Sequence, residues 1–502
     1  MKKIIYILFA GMLFTSCLDK LPEDAIPADK AITTISEANQ AVIGLYSSFL
    51  SSSLYSGALS IMPDLQCDMV YAVNGYTNTY GDTWRWEILS TNANIEAVYG
   101  SLYNVITSAN FLLDYEDRLR RTITDDDDLD RLDQYCGEAH MARAIAYWEL
   151  IRLFTKPYDE ATADTELGVV ITEHYNQGGE IYRSTLKESV DFLMKEIALA
   201  EEMLKLDDDY KPSTHGPLYS SNYFNEYVAH ALHARVALYL GRWEEAAKEA
   251  SKLIDCGYYL LSSASSIYSG QMSYFDYLWQ YDEGTETIWK VGFTSTAYGG
   301  ALGRIFFNYD YQSVKPDYVP AQWVINLYEA NDLRVDTYFS VFTTGHTHGL
   351  QWPLLVKYWG NPNFSSQGIL HMHQPKVFRL AEQYLIRAEA NAMLGKYTEA
   401  AKDIATLRKA RYTSYTSTPH LDAKTALQVI EQERVKELYM EGFRLTDLKR
   451  WHKGFERTPQ SESVKSGSSL KVEADDALFV WPIPQHELEA PGANILPNES
   501  NR

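Results

Sequence analysis

Two stretches of this 502-residue chain concentrate side chains able to hold a sugar. The first runs from Asp64 to Ile95 and sets Tyr71, Asn74, Tyr76, Tyr80, Trp84 and Trp86 among Gly, Asn and Thr. The second runs from Gln271 to Trp323. Fourteen of its fifty-three residues are aromatic, about twice the 13% of the whole chain. A sugar offers an apolar C–H face and a rim of hydroxyls. An aromatic ring covers the face, while Asn, Asp, Arg and Gln pair with the hydroxyls, and Tyr and Trp do this with little side-chain entropy to lose. Ile288-Trp289-Lys290-Val291-Gly292-Phe293 alternates like a strand and is expected in the core. Tyr298-Gly299-Gly300 and Phe306-Phe307-Asn308-Tyr309-Asp310-Tyr311 read as loop. Composition therefore selects Asn74, Tyr76, Tyr80, Trp84, Trp86, Tyr298 and Tyr309 as ligand-binding candidates. Any one of these rings also fits a packing role, since large aromatics are highly buried on average. Trp323 is set aside because Trp323 to Tyr328 reads as a helix with an inward face, and Trp352 and Trp359 are left open.

Other chemistries are less well supported. His346-Thr347-His348 and His371-Met372-His373 each place two imidazoles on one face of a strand, an arrangement metals use. Without a nearby Cys or a carboxylate at diagnostic spacing, no metal site is expected from them. Asp125 to Asp128 lacks the Gly and terminal Glu of an EF-hand loop, and is expected to cap a helix beginning near Leu129. Carboxylates are numerous enough for a glycosidase pair, but their separation is not legible in sequence. Gly-x-Ser-x-Gly, a phosphate loop and a dinucleotide fingerprint are all absent from the sequence, so no catalytic residue is expected. No cofactor is indicated, and a structural calcium ion is left open. The net charge of −22 argues against nucleic acid or an anionic bilayer as a partner and suits neutral ligands.

Helices must position these excursions. Leu380, Tyr384, Ala388 and Ala392 recur every four residues and share one helix face. Gly395 falls where a left-handed helix ending costs least. A second helix follows, with Tyr397, Ala400, Ala401, Ile404 and Leu407 inward, which makes a tetratricopeptide-type pair. Ala234, Leu240-Gly241-Arg242-Trp243, Ala246, Ala247, Ala250 and Leu253 repeat this unit at a constant offset of 154 residues, far from the roughly 34 of a tandem array. Glu138–Phe154 with Ser184–Leu204, and Ile35–Leu50 with Ile95–Leu113, are further candidate pairs. The fold expected is mainly α, a scaffold of about four tetratricopeptide-like helix pairs with long irregular loops and a few short strands. A charged helix is expected to close the scaffold through Glu441 to Trp451. Leu427, Ile430, Arg434 and Leu438 share a stripe, so Arg434 is expected to point inward to a carboxylate among Glu437, Glu441 and Asp447.

The N-terminus reads as a processing signal over residues 1–16. Lys2 and Lys3 precede a short apolar run, Ile4 to Phe14, and Phe14-Thr15-Ser16-Cys17 fits a bacterial lipobox with Cys17 as the lipidated residue. Residues 17–30 read as a lipid-anchored tether and residues 31–502 as a single domain, anchored to a membrane without spanning it. Cys67, Cys136 and Cys256 are odd in number and widely spaced, so buried free thiols are expected. Arg457–Lys471 reads as a flexible surface loop.

From Cys17 to Pro497 the chain resembles the SusD/RagB family, the starch-utilisation-type outer-membrane lipoproteins. The matching pieces are the Arg379–Ala390 helix, the run Glu433-Arg434…Glu437-Leu438…Glu441-Gly442…Arg444…Asp447-Leu448…Arg450-Trp451, and Trp481-Pro482-Ile483-Pro484…Glu487-Leu488. Asn110 after Tyr103 and Ile106, and Gly137-Glu138-Ala139…Arg143-Ala144, also match, whereas Asn494 to Asn498 departs from the family's usual ending. The resemblance implies a SusD-like α-α superhelix and non-catalytic binding of oligosaccharide or polysaccharide on the cell surface. It also implies an outer-membrane, lipid-anchored location facing the exterior, and delivery of glycan to a SusC-like TonB-dependent transporter. Two alternatives stay open: a surface glycoside hydrolase, and a helical-repeat scaffold or peptide-binding nutrient receptor.

Overall fold

The computed structural model describes residues 30–73, 79–175, 178–207, 210–308, 314–341, 352–457 and 470–501. Among these residues the protein is mainly α-helical, with short two-stranded sheets. Helix α1 (Ile35–Ser48) packs on α2 (Ala93–Leu113), and α3 (Asp126–Phe154) on α4 (Leu186–Met203). Helices α5 (Glu226–Tyr239) and α6 (Trp243–Asp255) form a third pair. The excursion after them contains α7 (Tyr274–Tyr281). A fourth pair, α8 (Leu380–Met393) and α9 (Tyr397–Arg411), is followed by α10 (Ala426–Glu437) and α11 (Arg444–Arg450).

Local chemistry sets the boundaries. Thr34 with Glu37, and Thr185 with Glu188, form reciprocal capping boxes that satisfy the first N–H groups of α1 and α4. Asp125 caps α3, accepting from Asp128 N at 3.1 Å, so that helix starts three residues earlier than Leu129. Helices α5 and α8 end alike. Gly241 and Gly395 adopt φ of 71° and 73°. Arg242 N then donates to Ala237 O (2.9 Å) and Lys396 N to Asn391 O (2.8 Å), the bonds that close a left-handed C-terminal turn.

The two copies of the repeated unit touch. Ala388 and Ala392 of α8 pack with Ala400, Ala401, Ile404 and Leu407 of α9. On another face of α8, Ile386 and Ala390 join Ala234, Ala237 and Leu238 of α5 and Ala246 and Ala250 of α6. Small side chains let the helices approach closely, so the third and fourth pairs stack despite the long insertion.

The end of the chain differs from expectation in two ways. The charged run is not a single helix: α10 stops at Glu437, Met440 and Gly442 take positive φ, and Glu441 lies in the break before α11. Leu427 is 41% exposed and leaves the inward stripe, while Ile430, Arg434 and Leu438 are buried. Arg434 pairs with Asp447, donating at 2.8 and 3.0 Å. Glu437 accepts instead from Arg334, Arg379 and Arg411, and Glu441 from Lys357 and Arg379. A buried charge is tolerated only when paired and hydrogen-bonded, and these partners come from segments far apart in sequence.

Short strands tie the excursions down. Strand β1 (Val70–Ala72) and β2 (Thr287–Lys290) precede β3 (Tyr318–Pro320) and β4 (Lys376–Arg379). β1 pairs antiparallel with β3, Val70 opposite Pro320, and β2 antiparallel with β4, Thr287 opposite Arg379. Trp289 is buried in β2, as its alternation predicted. The ends of the Arg457–Lys471 insert form a hairpin of β5 (Phe455–Arg457) and β6 (Leu470–Val472). Arg457 is buried, so the insert is not a surface loop throughout; residues 458–469 lie outside the described residues. Cys67 and Cys136 are buried and Cys256 is half-buried, all three free. Residues 1–29, with Cys17, lie outside the described residues. No helix among the described residues is long and apolar enough to cross a membrane.

Candidate functional site

Helix α7 begins with a capping box between Ser273 and Asp276. Its inner face, Phe275, Leu278 and Trp279, rests on the buried charges. The Arg411 guanidinium lies 4.2 Å from the Phe275 ring centroid, and Lys357 Nζ lies 3.9 Å from that of Trp279. Burial pulls the Lys357 ammonium down to about 8. Asp282 ends the helix in a left-handed conformation, fully buried. It accepts from Lys376 Nζ (2.7 Å), Asn361 Nδ2 (2.8 Å) and Gln374 N (3.0 Å), and faces His373 Nδ1 at 2.9 Å. Burial pushes the Asp282 carboxyl up, but the Lys376 charge and the His373 hydrogen bond outweigh it and hold the group well below the usual carboxylate range.

The helix thus presents a fixed outer face. Tyr277 and Gln280 lie on neighbouring stripes, about 60° apart around the axis. Along the first stripe runs a tyrosine ladder. Tyr268 stacks on Tyr277 with centroids 3.9 Å apart and planes at 20°, and Tyr277 stacks on Tyr281 at 5.3 Å and 28°. Tyr268 and Tyr274 are 46% and 44% exposed. Beside the second stripe lies a cleft of about 300 Å³, lined among others by Asp276, Gln280, Asp336, Thr337, Trp359 and Pro362. Trp359 is 40% exposed there, its ring braced edge-on against Phe307 at 4.7 Å. Thr337 Oγ1 donates to Asp276 Oδ1 at 2.7 Å. An indole wall facing carboxylates, an amide and a hydroxyl is the chemistry that recognises a sugar ring.

Comparison with known proteins follows the same line. Residues 18–238 match a SusD-like family model described as starch-binding associating with outer membrane, and residues 343–493 match the SusD family model. A SusD-like protein of Formosa agariphila is 21% identical over 507 residues, covering 89% of this chain and 88% of that one. A SusD superfamily protein from Bacteroides thetaiotaomicron superposes with a TM-score of 0.77 at 24% identity, over 93% of this chain and 100% of that one. The chain belongs to the SusD/RagB family. A putative sugar binding protein from Bacteroides vulgatus shares the SusD fold at TM-score 0.75 and 22% identity, covering 94% of this chain and 100% of that one. Surface glycan-binding protein A from Bacteroides fluxus shares it at TM-score 0.69 and 18% identity, covering 93% and 100%.

The SusD/RagB motif residues quoted above are structural ties. Asn110 and Glu196 bind Arg143, and a Cβ at Gly137 would stand 2.8 Å from Met203 Cβ where α3 crosses α4. Trp481 is buried, its indole donating to Gln66 Oε1 at 2.9 Å.

The sequence-selected ring positions divide. Asn74, Tyr76 and Tyr309 lie outside the described residues. Tyr298 is 44% exposed. Tyr80 is half-buried and packs against two cores. Trp86 is half-buried, edge-on to Phe455 and Phe479, its indole donating to Asp476 Oδ1 at 3.2 Å. Trp84 is buried, and the expectation that it contacts ligand is corrected: its indole donates to Val70 O and Arg457 covers its ring. Trp323 is partly buried with its indole on Asp68 O, in keeping with the inward helix face, and Trp352 donates to Pro320 O. His346 and His348 lie outside the described residues. His371 Nδ1 faces Trp359 O at 3.0 Å, and His373 Nε2 accepts from Gly360 N at 2.8 Å, so this pair shapes the Trp359 turn. Of the ladder residues, Tyr277 and Tyr281 fall inside the aromatic-rich second stretch and Tyr268 just before it. Residues 274–281 have no loop-like composition, and the i, i+4 spacing of Tyr277 and Tyr281 is the sequence signal that marks them.

Proposed function

We propose that this protein is a non-catalytic glycan-binding protein of the outer membrane that presents oligosaccharide to a SusC-like TonB-dependent transporter. The observation that carries the reading is the exposed Trp359 ring forming one wall of a cleft whose other walls include Gln280, Asp336 and Thr337. A pyranose ring lies on the indole and turns its hydroxyls to the polar side chains. The Tyr268–Tyr277–Tyr281 ladder extends the apolar track along α7, and Tyr298 is a further exposed contact. The descriptions of the matching family and of structurally similar proteins, starch-binding, sugar binding and glycan-binding, support the ligand class. The lipobox ending at Cys17 supports a lipid anchor.

A second reading has one observation in its favour: Asp276 and Asp336 line the same cleft, as a hydrolase pair would. Affinity electrophoresis through a panel of polysaccharides, followed by prolonged incubation with the retarding glycan, separates the two. Retardation without new reducing ends supports binding. New reducing ends that vanish in Asp336→Asn establish the hydrolase, and retardation by none of the panel, with none in Trp359→Ala either, removes the glycan reading.

A further inference from the structure

Five side chains outside the cleft converge where three helices meet. They are Glu201 near the end of α4, His230 and His233 on α5, and Glu245 and Glu249 on α6. Spacings of three and four residues put each pair on one helix face. Both imidazoles turn Nδ1 to the same oxygen, Glu201 Oε1, at 2.9 Å from His230 and 2.7 Å from His233. His230 Nδ1 stands 3.0 Å and His233 Nδ1 4.0 Å from Glu249 Oε2. The other nitrogen of His233, Nε2, faces Glu245 Oε1 at 2.8 Å.

Two features call for a cation here. A neutral imidazole has one N–H and one lone pair. With Nε2 facing Glu245, a neutral His233 turns its Nδ1 lone pair toward two carboxylates, so the cluster needs positive charge at Nδ1, supplied either by a second imidazole proton or by a bound cation. Glu249 is 2% exposed, and its Oε2 lacks an aligned hydrogen-bond donor although His230 Nδ1 and Lys252 Nζ (2.8 Å) are near. Lys252 supplies one charge against three carboxylates, with Arg242 and Lys248 at 3.8 Å from Glu245 and Glu249.

We propose that this cluster binds a first-row divalent transition-metal ion of the zinc class. The ligands are His230 Nδ1, His233 Nδ1, Glu201 Oε1 and Glu249 Oε2, with Glu245 on the far nitrogen of His233 as the carboxylate that orients it. Tetrahedral bonds of about 2.0–2.2 Å hold ligand atoms roughly 3.3–3.6 Å apart. The present spacings of 2.7 to 4.0 Å bracket that range. Imidazole ligands select against calcium and magnesium, which take oxygen. The Lys252 side chain, 37% exposed, swings to solvent as the ion enters past the two histidines, each 13% exposed. A bound ion would tie α4, α5 and α6 together and stabilise the folded state by mass action.

The test is calorimetric titration of the untagged, chelator-treated chain with Zn²⁺, and visible spectroscopy with Co²⁺. The expected result is saturable binding of one ion per chain, no response to Ca²⁺, and a rise in melting temperature with Zn²⁺. His233→Ala and Glu249→Gln should abolish that binding. Glu245→Gln, which keeps every ligand, should weaken it about tenfold. His174→Ala, exposed and paired with Asp114, should leave it unchanged. Absence of saturable one-to-one binding, or equal affinity in the wild type and the folded Glu245→Gln and Glu249→Gln variants, overturns the site.

Discussion

The Arg457 guanidinium lies over the Trp84 indole, 4.5 Å from its centroid, joining a side chain of the first aromatic stretch to one 373 residues later. With Val70 O on its N–H, Trp84 spends both its face and its edge inside the protein. Trp84→Ala is therefore expected to lower stability by about 3–5 kcal/mol through cavity formation. Glycan affinity per folded molecule should stay unchanged, as read by denaturant unfolding and affinity electrophoresis.

Trp359 should behave in the opposite way. Trp359→Ala removes a half-exposed wall and should cost about tenfold or more in glycan affinity, roughly 1–2 kcal/mol. Its melting temperature should move little. Loss of stability with unchanged affinity would assign Trp359 to packing.

Gly395 and Gly137 should differ in how alanine harms them. A Cβ at Gly395 meets nothing within 4 Å, so Gly395→Ala should cost only the left-handed backbone penalty, about 1–2 kcal/mol. A Cβ at Gly137 would press on Met203 and Leu204 across the α3–α4 crossing. Gly137→Ala should cost about 1–3 kcal/mol of overpacking, and should be relieved in part by Leu204→Ala, which removes the Cγ and Cδ2 that a new Cβ would meet at 3.0 Å. Double-mutant unfolding measures the coupling.

Glu138 predicts a pH dependence. Burial pushes its carboxyl up to about 7, even though Gln134 and the Tyr46 hydroxyl favour the charged form. Between an unfolded value of about 4.3 and 7, the folded state binds more protons than the unfolded chain. This group therefore makes stability fall as pH rises through that window and level off above it. Glu138→Gln should stabilise the protein at pH 8 by on the order of 1–3 kcal/mol and have little effect at pH 5, as measured by thermal unfolding at both values.

Glu437 holds three guanidiniums, from Arg334, Arg379 and Arg411, in a fully buried setting. Glu437→Gln should cost about 3–5 kcal/mol, because it strands buried positive charge. Since α7 rests on Arg411, glycan affinity should fall in the same variant.

The sequence by itself determined what local spacing controls. The every-fourth-residue pattern from Leu380 to Ala392 placed a helix, Gly241 and Gly395 marked identical turns, and the constant 154-residue offset exposed the repeated pair. The inward Arg434 was also legible, with Asp447 one of three candidate carboxylates; the break between α10 and α11 decided among them. Periodicity says which face of a helix is buried without reference to anything distant.

Loops carry no such period. Whether an aromatic ring there faces water depends on what folds over it, and tertiary structure alone decided that. Arg457 buried Trp84, Phe307 braced Trp359 into its cleft, and Tyr268, from the segment before α7, came to lie on Tyr277. The convergence of Glu201, His230, His233 and Glu249 was equally hidden, because they come from three helices and only helix packing sets the distances. The same holds for the contact of Ile386 and Ala390 with Ala246 and Ala250: the repeat was visible in sequence, but its stacking across a long insertion was a decision of the core.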